Sequence, residues 1–107
     1  MKSQFDRLSE IEKVRSREGK SYHEFLRVPA MSAGLYVLPA GCNDPQRPHH
    51  EDEMYYVVRG RSRFKAGEED REVAAGSVIF VAAQVEHRFY DISEDLAVLV
   101  FFAPAES

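Results

Sequence analysis

The chain has little cysteine, no tryptophan and no long hydrophobic run. Cys42 is the only cysteine among 107 residues, so no internal disulfide can form, which fits a reducing compartment; we expect an inert, buried thiol. The longest apolar run, residues 96–103, is far shorter than the ~20 residues of a membrane-spanning helix. Residues 2–7 precede no apolar stretch of the kind found in secretory signals. These absences predict a cytoplasmic protein without a membrane partner.

A surplus of positive charge is also missing. The formal net charge is −4, with 14 Lys and Arg against 18 Asp and Glu. A basic quartet does occur: Arg59, Arg61, Arg63 and Lys65. At strand spacing it forms one solvated face, and acidic residues 68–70 follow at once. Nucleic-acid binding needs a clustered basic surface, so we expect no nucleic-acid partner.

The residues that are present indicate one globular domain with a helical arm. The composition is 44% hydrophobic and 30% charged, at a length common for a single core. Apolar residues recur every three positions over residues 3–17: Phe5, Leu8, Ile11 and Val14. Ser9 and Glu12 have the spacing of a capping box, and Gly19 is a typical helix stop. We predict residues 1–20 as an arm that packs on a barrel or on a partner subunit.

From residue 21 onward, short aromatic and β-branched segments alternate with turn signals. The predicted strands are residues 22–28, 34–38, 54–59, 61–66, 77–81, 87–90 and 96–102. Gly60 is predicted as a tight turn between two antiparallel strands, and residues 66–68 as another turn. Many short strands at this spacing are typical of a sandwich or barrel, so residues 21–107 are predicted as one all-β domain.

Some of these segments have predicted positions in the sheet. Residues 22–28 are a candidate edge strand, whereas the apolar residues 96–102 are expected inside the sheet. Six residues can line or close the barrel, most of them by simple core packing: Tyr55, Val57, Phe64, Phe80, Phe89 and Phe101.

Two imidazoles and three carboxylates occupy residues 49–53. A strand advances about 3.3 Å per residue, so His49 and Glu53 on one straight strand would lie roughly 13 Å apart. They can share a metal ion only if the chain turns back between them, and residues 50–52 are suited to such a turn. Taken alone, the cluster favours a solvated loop. His87, which follows an apolar strand, is the candidate third ligand.

Together, the two segments resemble the two motifs of the cupin family, G-x5-H-x-H-x3/4-E-x6-G and G-x5-P-x-G-x2-H-x3-N. The first reads Gly41-x5-Arg47-x-His49-x3-Glu53-x6-Gly60 in this chain. The second reads Gly76-x5-Ala82-x-Gln84-x2-His87-x3-Asp91. All spacings hold, and the resemblance covers residues 34–102. It implies an all-β cupin barrel, a double-stranded β-helix or jelly roll, here with a short N-terminal α-helix.

The resemblance also implies a metal site. In the family, two histidines and a glutamate of the first motif join the histidine of the second motif as ligands. By position, this implies His49, Glu53 and His87, because Arg47 replaces the first histidine; His50 is the alternative to His49. The other departures are Ala82, Gln84 and Asp91, in place of proline, glycine and asparagine.

Two histidines and one carboxylate suit non-haem iron and also catalytic zinc. The implied cofactor is one divalent ion of iron, manganese, nickel or zinc. Arg47 cannot ligate a cation but can bind a carboxylate or phosphate. Either it anchors an anionic ligand beside the metal, or it points outward and Gln46 or water takes the fourth place. Tyr55, on the same strand face as Glu53, can orient a ligand or donate a proton.

These features predict a metal-dependent enzyme, oxygenase- or isomerase-like, that acts on a small molecule in the barrel. One alternative is a binding or sensing module that uses the same pocket without turnover. Another is a barrel whose metal only holds strands together. The family resemblance further implies a homodimer, with the edge strand at residues 22–28 and the N-terminal helix near the interface.

Overall fold

The chain folds into a β-barrel with one helix against its outer surface. The computed structural model describes residues 3–107. Its elements are α1 Leu8–Glu18, β1 Tyr22–Val28, β2 Met31–Leu38, β3 Asp52–Ala66, β4 Glu69–Ala74, β5 Val78–Val81 and β6 His87–Ala103. The strands pair antiparallel in the order β1-β2-β6-β3-β4, and β5 pairs with β3. The predicted all-β fold is confirmed. The helix that is described is too short and too polar to cross a membrane.

β3 continues without a break through Gly60, so the prediction of a tight turn at this residue is wrong. Gly60 has a φ of 98° and lies where the register between β3 and β6 shifts. A Cβ at this position would come within 2.7 Å of the Leu96 Cα, so no larger residue fits without backbone movement. Gly60 therefore forms a bulge that bends one long strand.

The other strands match the prediction to different degrees. β1 has the predicted bounds, and it is an edge strand because it pairs with β2 alone in the described part of the chain. β6 lies between β2 and β3, as expected for residues 96–102, but it also includes the predicted strand at 87–90 without a break. β4 was not predicted, although the turn at residues 66–68 that precedes it was. The homodimer expected near β1 stays a prediction.

The helix is shorter than predicted at its N-terminal end. It begins at Leu8 and is preceded by Arg7, which makes no side-chain capping bond, so the predicted capping box is wrong. Ser9 lies inside the helix instead. Gly19 ends the helix in the left-handed conformation, at a φ of 70°, as predicted. Ile11 packs on Leu35 and Ala97 on the outside of the barrel. Residues 1–2 of the predicted arm lie outside the described residues.

The barrel interior is filled by alternating residues of the long strands. Four of the six predicted lining residues are buried: Tyr55, Val57, Phe64 and Phe89. Each such side chain contributes about 2 to 3 kcal/mol through burial. Phe80 is 61% exposed and Phe101 is only half-buried, so their predicted interior position is wrong. Both pair with Met54 across the strands, on the outward face of the sheet.

Candidate metal centre

The first half of the site lies in the bend between β2 and β3. Residues 50–51 bend before β3 begins at Asp52, which turns His49 back toward Glu53, as predicted. Residues 82–86, ahead of β6, are bonded to the same bend. The Gln84 N–H donates to the His49 carbonyl at 2.8 Å, and the Ala83 N–H donates to Asp52 Oδ1 at 2.8 Å. These bonds bring the two sequence motifs together.

Gln84 holds its part of this connection in an unusual conformation. Its φ is 68°, in the left-handed region that favours glycine, which is the residue that the family motif has at this position. The turn therefore keeps its shape without the glycine. Asp91, at the end of the same motif, also has a positive φ, of 47°.

The structure brings His49, Glu53 and His87 together. One potential ligand atom of each residue lies within 4.8 Å of the other two. The side chains of Glu53 and His87 are each 1% exposed, and the ring centroids of His49 and His87 are 5.6 Å apart. The alternative histidine, His50, is exposed and accepts a bond from the Gln84 amide at 2.7 Å. His49 rather than His50 therefore joins the group.

His87 and Glu53 meet as two buried acceptors. The Nδ1 of His87 donates to the Val85 carbonyl at 2.8 Å, which leaves a lone pair on Nε2. That Nε2 lies 2.6 Å from Glu53 Oε1, yet neither it nor Glu53 Oε2 has a hydrogen-bond partner. Two acceptors at this distance repel unless a proton or a metal ion lies between them. Two imidazoles and a carboxylate are donors that divalent metal ions prefer, so the group of His49, Glu53 and His87 fits such an ion.

The same contact perturbs the acid–base behaviour of His87. Burial lowers its pKa, but the Glu53 carboxylate and the Val85 carbonyl together raise it by more, so that the pKa lies above its ordinary value. The Glu53 carboxylate thus favours the protonated form of His87 in the metal-free protein. Metal binding has to displace that proton.

A hydrogen-bonded chain of Asp44, Gln46 and Tyr55 lies beside the group. Asp44 is buried and accepts bonds from the Tyr36 hydroxyl and the Gln46 amide, both at 2.7 Å, and from the Phe89 N–H at 2.9 Å. The Gln46 oxygen accepts a bond from the Tyr55 hydroxyl at 2.9 Å and lies 3.4 Å from His49 Nε2. Asp44 was missed by the sequence analysis, because a carboxylate in a Pro- and Asn-rich turn usually faces solvent.

Burial raises the pKa of both Tyr55 and Cys42. Burial, and then the charge of Glu53, raise the pKa of Tyr55 well above its usual value, so the phenol stays protonated at neutral pH. Burial also raises the pKa of the Cys42 thiol, which packs half-buried against the core. A thiol of this kind is poorly reactive, in keeping with the inert role predicted for it.

Two cavities flank the metal-ligand candidates. A larger one of about 580 Å³ is lined in part by His87, Arg47, Lys65 and Arg88. A smaller one of about 210 Å³ is lined by His49 together with mostly aromatic and apolar residues. Gln46 lines both. The group therefore lies between two spaces, of which the larger is of a size that holds a small molecule.

The segment after β6 covers the smaller cavity. Glu106 lines it, and its Oε2 lies 3.4 Å from His49 Nδ1. The Glu106 N–H donates to Ser32 Oγ at 2.9 Å, and the Ser107 N–H and hydroxyl donate to the buried Glu51 at 3.2 and 3.0 Å. The sequence analysis missed Glu106, since this short polar segment matches no motif.

Relatives of the chain are found by sequence and by structure. The uncharacterized protein SCO3923 of Streptomyces coelicolor is 52% identical over 101 residues, which cover 94% of this chain and 96% of that protein. The crystal structure of TT1209 from Thermus thermophilus has a TM-score of 0.74 at 22% identity, covering 96% of this chain and 99% of that one. The DMSP lyase DddQ from Ruegeria pomeroyi has a TM-score of 0.66 at 22% identity. There the match covers 71% of this chain but only 39% of the lyase. At these identities, the structural matches establish the fold alone.

The family follows from a more direct match. A family model described as the cupin domain matches residues 34–102, which is more than half of the chain and the range over which the motifs resemble the family. The barrel, the two motifs in register and the converging His49, Glu53 and His87 agree with that match. The chain therefore belongs to the cupin family.

Proposed function

We propose that this cupin is a metal-dependent enzyme that acts on a small, anionic molecule bound in the barrel beside one divalent ion. The observation that carries the proposal is the convergence of His49, Glu53 and His87, whose ligand atoms lie within 4.8 Å of one another. Two of the buried atoms in this group, His87 Nε2 and Glu53 Oε2, have no hydrogen-bond partner, and the three residues would hold the ion. When bound, an ion of iron, manganese, nickel or zinc supplies a Lewis acid or an oxygen-activating centre.

Accessibility of the site supports catalysis over a purely structural metal. A structural site is closed by protein ligands, whereas a catalytic site keeps an open position. Here His87 lines the larger cavity and His49 lines the smaller one. Of the three residues, only His49 has an accessible side chain, 20% exposed, so a ligand would approach the ion from the His49 side. The likeness to a DMSP lyase shows that the fold supports an enzyme but says nothing about the reaction of this chain.

The charge of the larger cavity supports an anionic ligand. Arg47, Lys65 and Arg88 line it, and none of the three has an ion-pair partner within residues 3–107. Of the two carboxylates in the lining, Glu86 is exposed, and Asp44 already accepts three hydrogen bonds. The guanidinium of Arg47 would bind a carboxylate or phosphate with two parallel hydrogen bonds.

The role of Tyr55 is proposed on the same basis. Its side chain is fully buried, and its protonated hydroxyl donates to Gln46. This contact supports a positioning role through Gln46. The direct proton transfer to a ligand that the sequence analysis allowed stays a prediction.

A turnover screen tests the proposal. Metal-stripped protein is reloaded separately with Fe²⁺, Mn²⁺, Ni²⁺ and Zn²⁺, then incubated with small carboxylates and phosphate esters, with NMR of the ligands and oxygen uptake as readouts. We expect one metal to support conversion in the wild type and in the control His50→Ala, which removes an exposed histidine next to the site. His87→Ala should be inactive.

Two outcomes would contradict the enzyme assignment. Binding of these anions to the loaded protein without conversion for any metal would favour a binding or sensing module. Conversion that survives His87→Ala would place the active site elsewhere. Loss of conversion in Arg47→Ala at low but not at saturating ligand would assign Arg47 to anion binding.

A further inference from the structure

We infer that the side-chain oxygen of Gln46 is a fourth ligand of the metal ion, held in place by Asp44 and Tyr55. The inference rests on the proposed function, because it requires an ion at His49, Glu53 and His87. It concerns the position that Arg47 leaves without a ligand in this chain. The carrying observation is the position of the Gln46 side-chain oxygen, which is held by Tyr55 and lies 3.4 Å from His49 Nε2.

The orientation of the Gln46 amide is fixed by its partners. The Asp44 carboxylate only accepts hydrogen bonds, so the Gln46 atom 2.7 Å from Asp44 Oδ2 must be the amide nitrogen. The oxygen then points the other way, where the Tyr55 hydroxyl donates to it at 2.9 Å. Asp44 itself is held by the Tyr36 hydroxyl and the Phe89 N–H. A flipped amide would lose the bond to Asp44 and place its oxygen against the carboxylate, so the orientation is fixed.

His49 faces the Gln46 oxygen. Its Nε2 lies 3.4 Å from Gln46 Oε1, with the geometry of a weak hydrogen bond from a protonated Nε2. An ion bound at Nε2 would move that proton to Nδ1, where Glu106 Oε2 lies 3.4 Å away. Adjacent ligands on a tetrahedral ion with bonds of about 2.1 Å are about 3.4 Å apart, so this pair has the spacing of two ligands. His87 Nε2 and Glu53 Oε1, at 2.6 Å, would instead have to move apart when an ion binds. The oxygen of Gln46 keeps one lone pair free beside its bond from Tyr55.

Four atoms would together make a donor set of two nitrogens and two oxygens for the ion. They are His49 Nε2, Gln46 Oε1, His87 Nε2 and Glu53 Oε1. The neighbouring Arg47 is exposed and lines the larger cavity. The ligand that the family takes from the position of Arg47 would thus come from the residue before it, which leaves Arg47 free to meet the substrate.

A Co²⁺ titration tests the inference, with the visible absorption spectrum of the bound ion as a readout independent of activity. The proteins are metal-stripped wild type, Gln46→Leu, Gln46→Met, Tyr55→Phe and the control Gln4→Leu, which changes an exposed glutamine. We expect Gln46→Leu and Gln46→Met to weaken Co²⁺ affinity about 10- to 100-fold and to alter the ligand-field bands. Tyr55→Phe should lower affinity by less and keep the wild-type spectrum. Circular dichroism selects variants that fold, and Gln46→Met replaces Gln46→Leu should the latter fail.

The outcomes separate ligation from other roles. Weakened affinity with an unchanged spectrum in both Gln46 variants would make Gln46 a positioning residue and overturn the inference. Wild-type affinity and spectrum in those variants would overturn it as well, while leaving the proposed function intact. A wild type that binds no Co²⁺ would overturn the proposed function together with the inference.

Discussion

Two polar clusters on β3 differ in how their charges are matched. On the outward face of its second half, Arg59, Arg61 and Arg63 pair with Glu12, Glu72 and Asp70 respectively. On the inward face of its first half, Glu53 meets His87, with His49 and Gln46 close by. We call the first cluster the ion-pair ladder and the second the acceptor cluster. Every arginine of the ladder has an acidic partner, whereas in the acceptor cluster the buried atoms His87 Nε2 and Glu53 Oε2 have no hydrogen-bond partner.

The comparison separates a structural role from a binding role. The ladder is exposed and internally neutralised, so it needs nothing from solution and adds little stability. The acceptor cluster is buried, where unmatched acceptors are costly. A buried group of this kind is stable when a ligand completes it.

Metal addition should stabilise the protein through the acceptor cluster alone. At an ion concentration about 1,000 times Kd, binding to the native state adds about 4 kcal/mol to the free energy of unfolding. Thermal unfolding of metal-stripped protein with and without Zn²⁺ measures this as a rise in Tm. Arg61→Ala, in the ladder, should keep the rise, and His87→Ala should lose it. An equal rise in both variants would place the ion outside the acceptor cluster.

Gly60 lies on β3 between Arg59 and Arg61 of the ladder, and Gly60→Ala should be strongly destabilising. A Cβ there would meet the backbone of Asp95 and Leu96, and the residue has a φ of 98°. We expect a loss of about 3 kcal/mol in urea unfolding. Gly76→Ala is the matched control, because Gly76 has a φ of 94° but open space around its Cβ position. It should lose only about 1 kcal/mol; equal losses would mean that the close approach at Gly60 does not matter.

Tyr36→Phe should remove one of the three bonds that hold Asp44. The hydroxyl donates to Asp44 Oδ1 at 2.7 Å, and a hydrogen bond to a buried carboxylate is worth about 1.5 kcal/mol. Urea unfolding measures the loss, and Co²⁺ affinity should fall modestly, since Asp44 orients Gln46. No change in either quantity would show that the remaining bonds to Asp44 are enough.

Arg61→Ala should have the smallest effect. Its partners Glu72 and Glu94 are exposed, so the ion pairs contribute about 0.5 kcal/mol or less, and less still at high salt. Urea unfolding at low and high salt measures this loss. A loss as large as that of Tyr36→Phe would contradict the view that the ladder is only a solvated surface.

From the sequence, the residues of the acceptor cluster were predicted more accurately than the strand boundaries. The resemblance to the two cupin motifs led to His49, Glu53 and His87, because these residues stand at the ligand positions of the family motifs. The turn between His49 and Glu53 could even be argued from strand length alone. Gly60 was misread, since a glycine between two strand-like segments signals either a turn or a bulge. The pairing with β6 that decides between them is a long-range contact.

The supporting network could not be predicted for the same reason. Asp44 lies in a turn, and its burial depends on Tyr36 and Phe89, which come from two different strands. Glu106 reaches His49 through a segment that has no pattern of its own. The sequence left Gln46 and water as alternatives, because the bonds of the Gln46 amide to Asp44 and Tyr55 are visible only in the structure. Local sequence carries no signal for hydrogen bonds of this kind.

Metal stoichiometry tests whether His49 and His87 help to hold one divalent ion in each chain. Protein purified without added metal is analysed for its elements, then stripped and dialysed against Zn²⁺, beside His49→Ala/His87→Ala and the control His50→Ala. We expect about one divalent ion per chain in the wild type and in His50→Ala, and none in the double variant. A folded wild type that contains no metal and takes up none would contradict it, and the acceptor cluster would then have to be completed by protons alone.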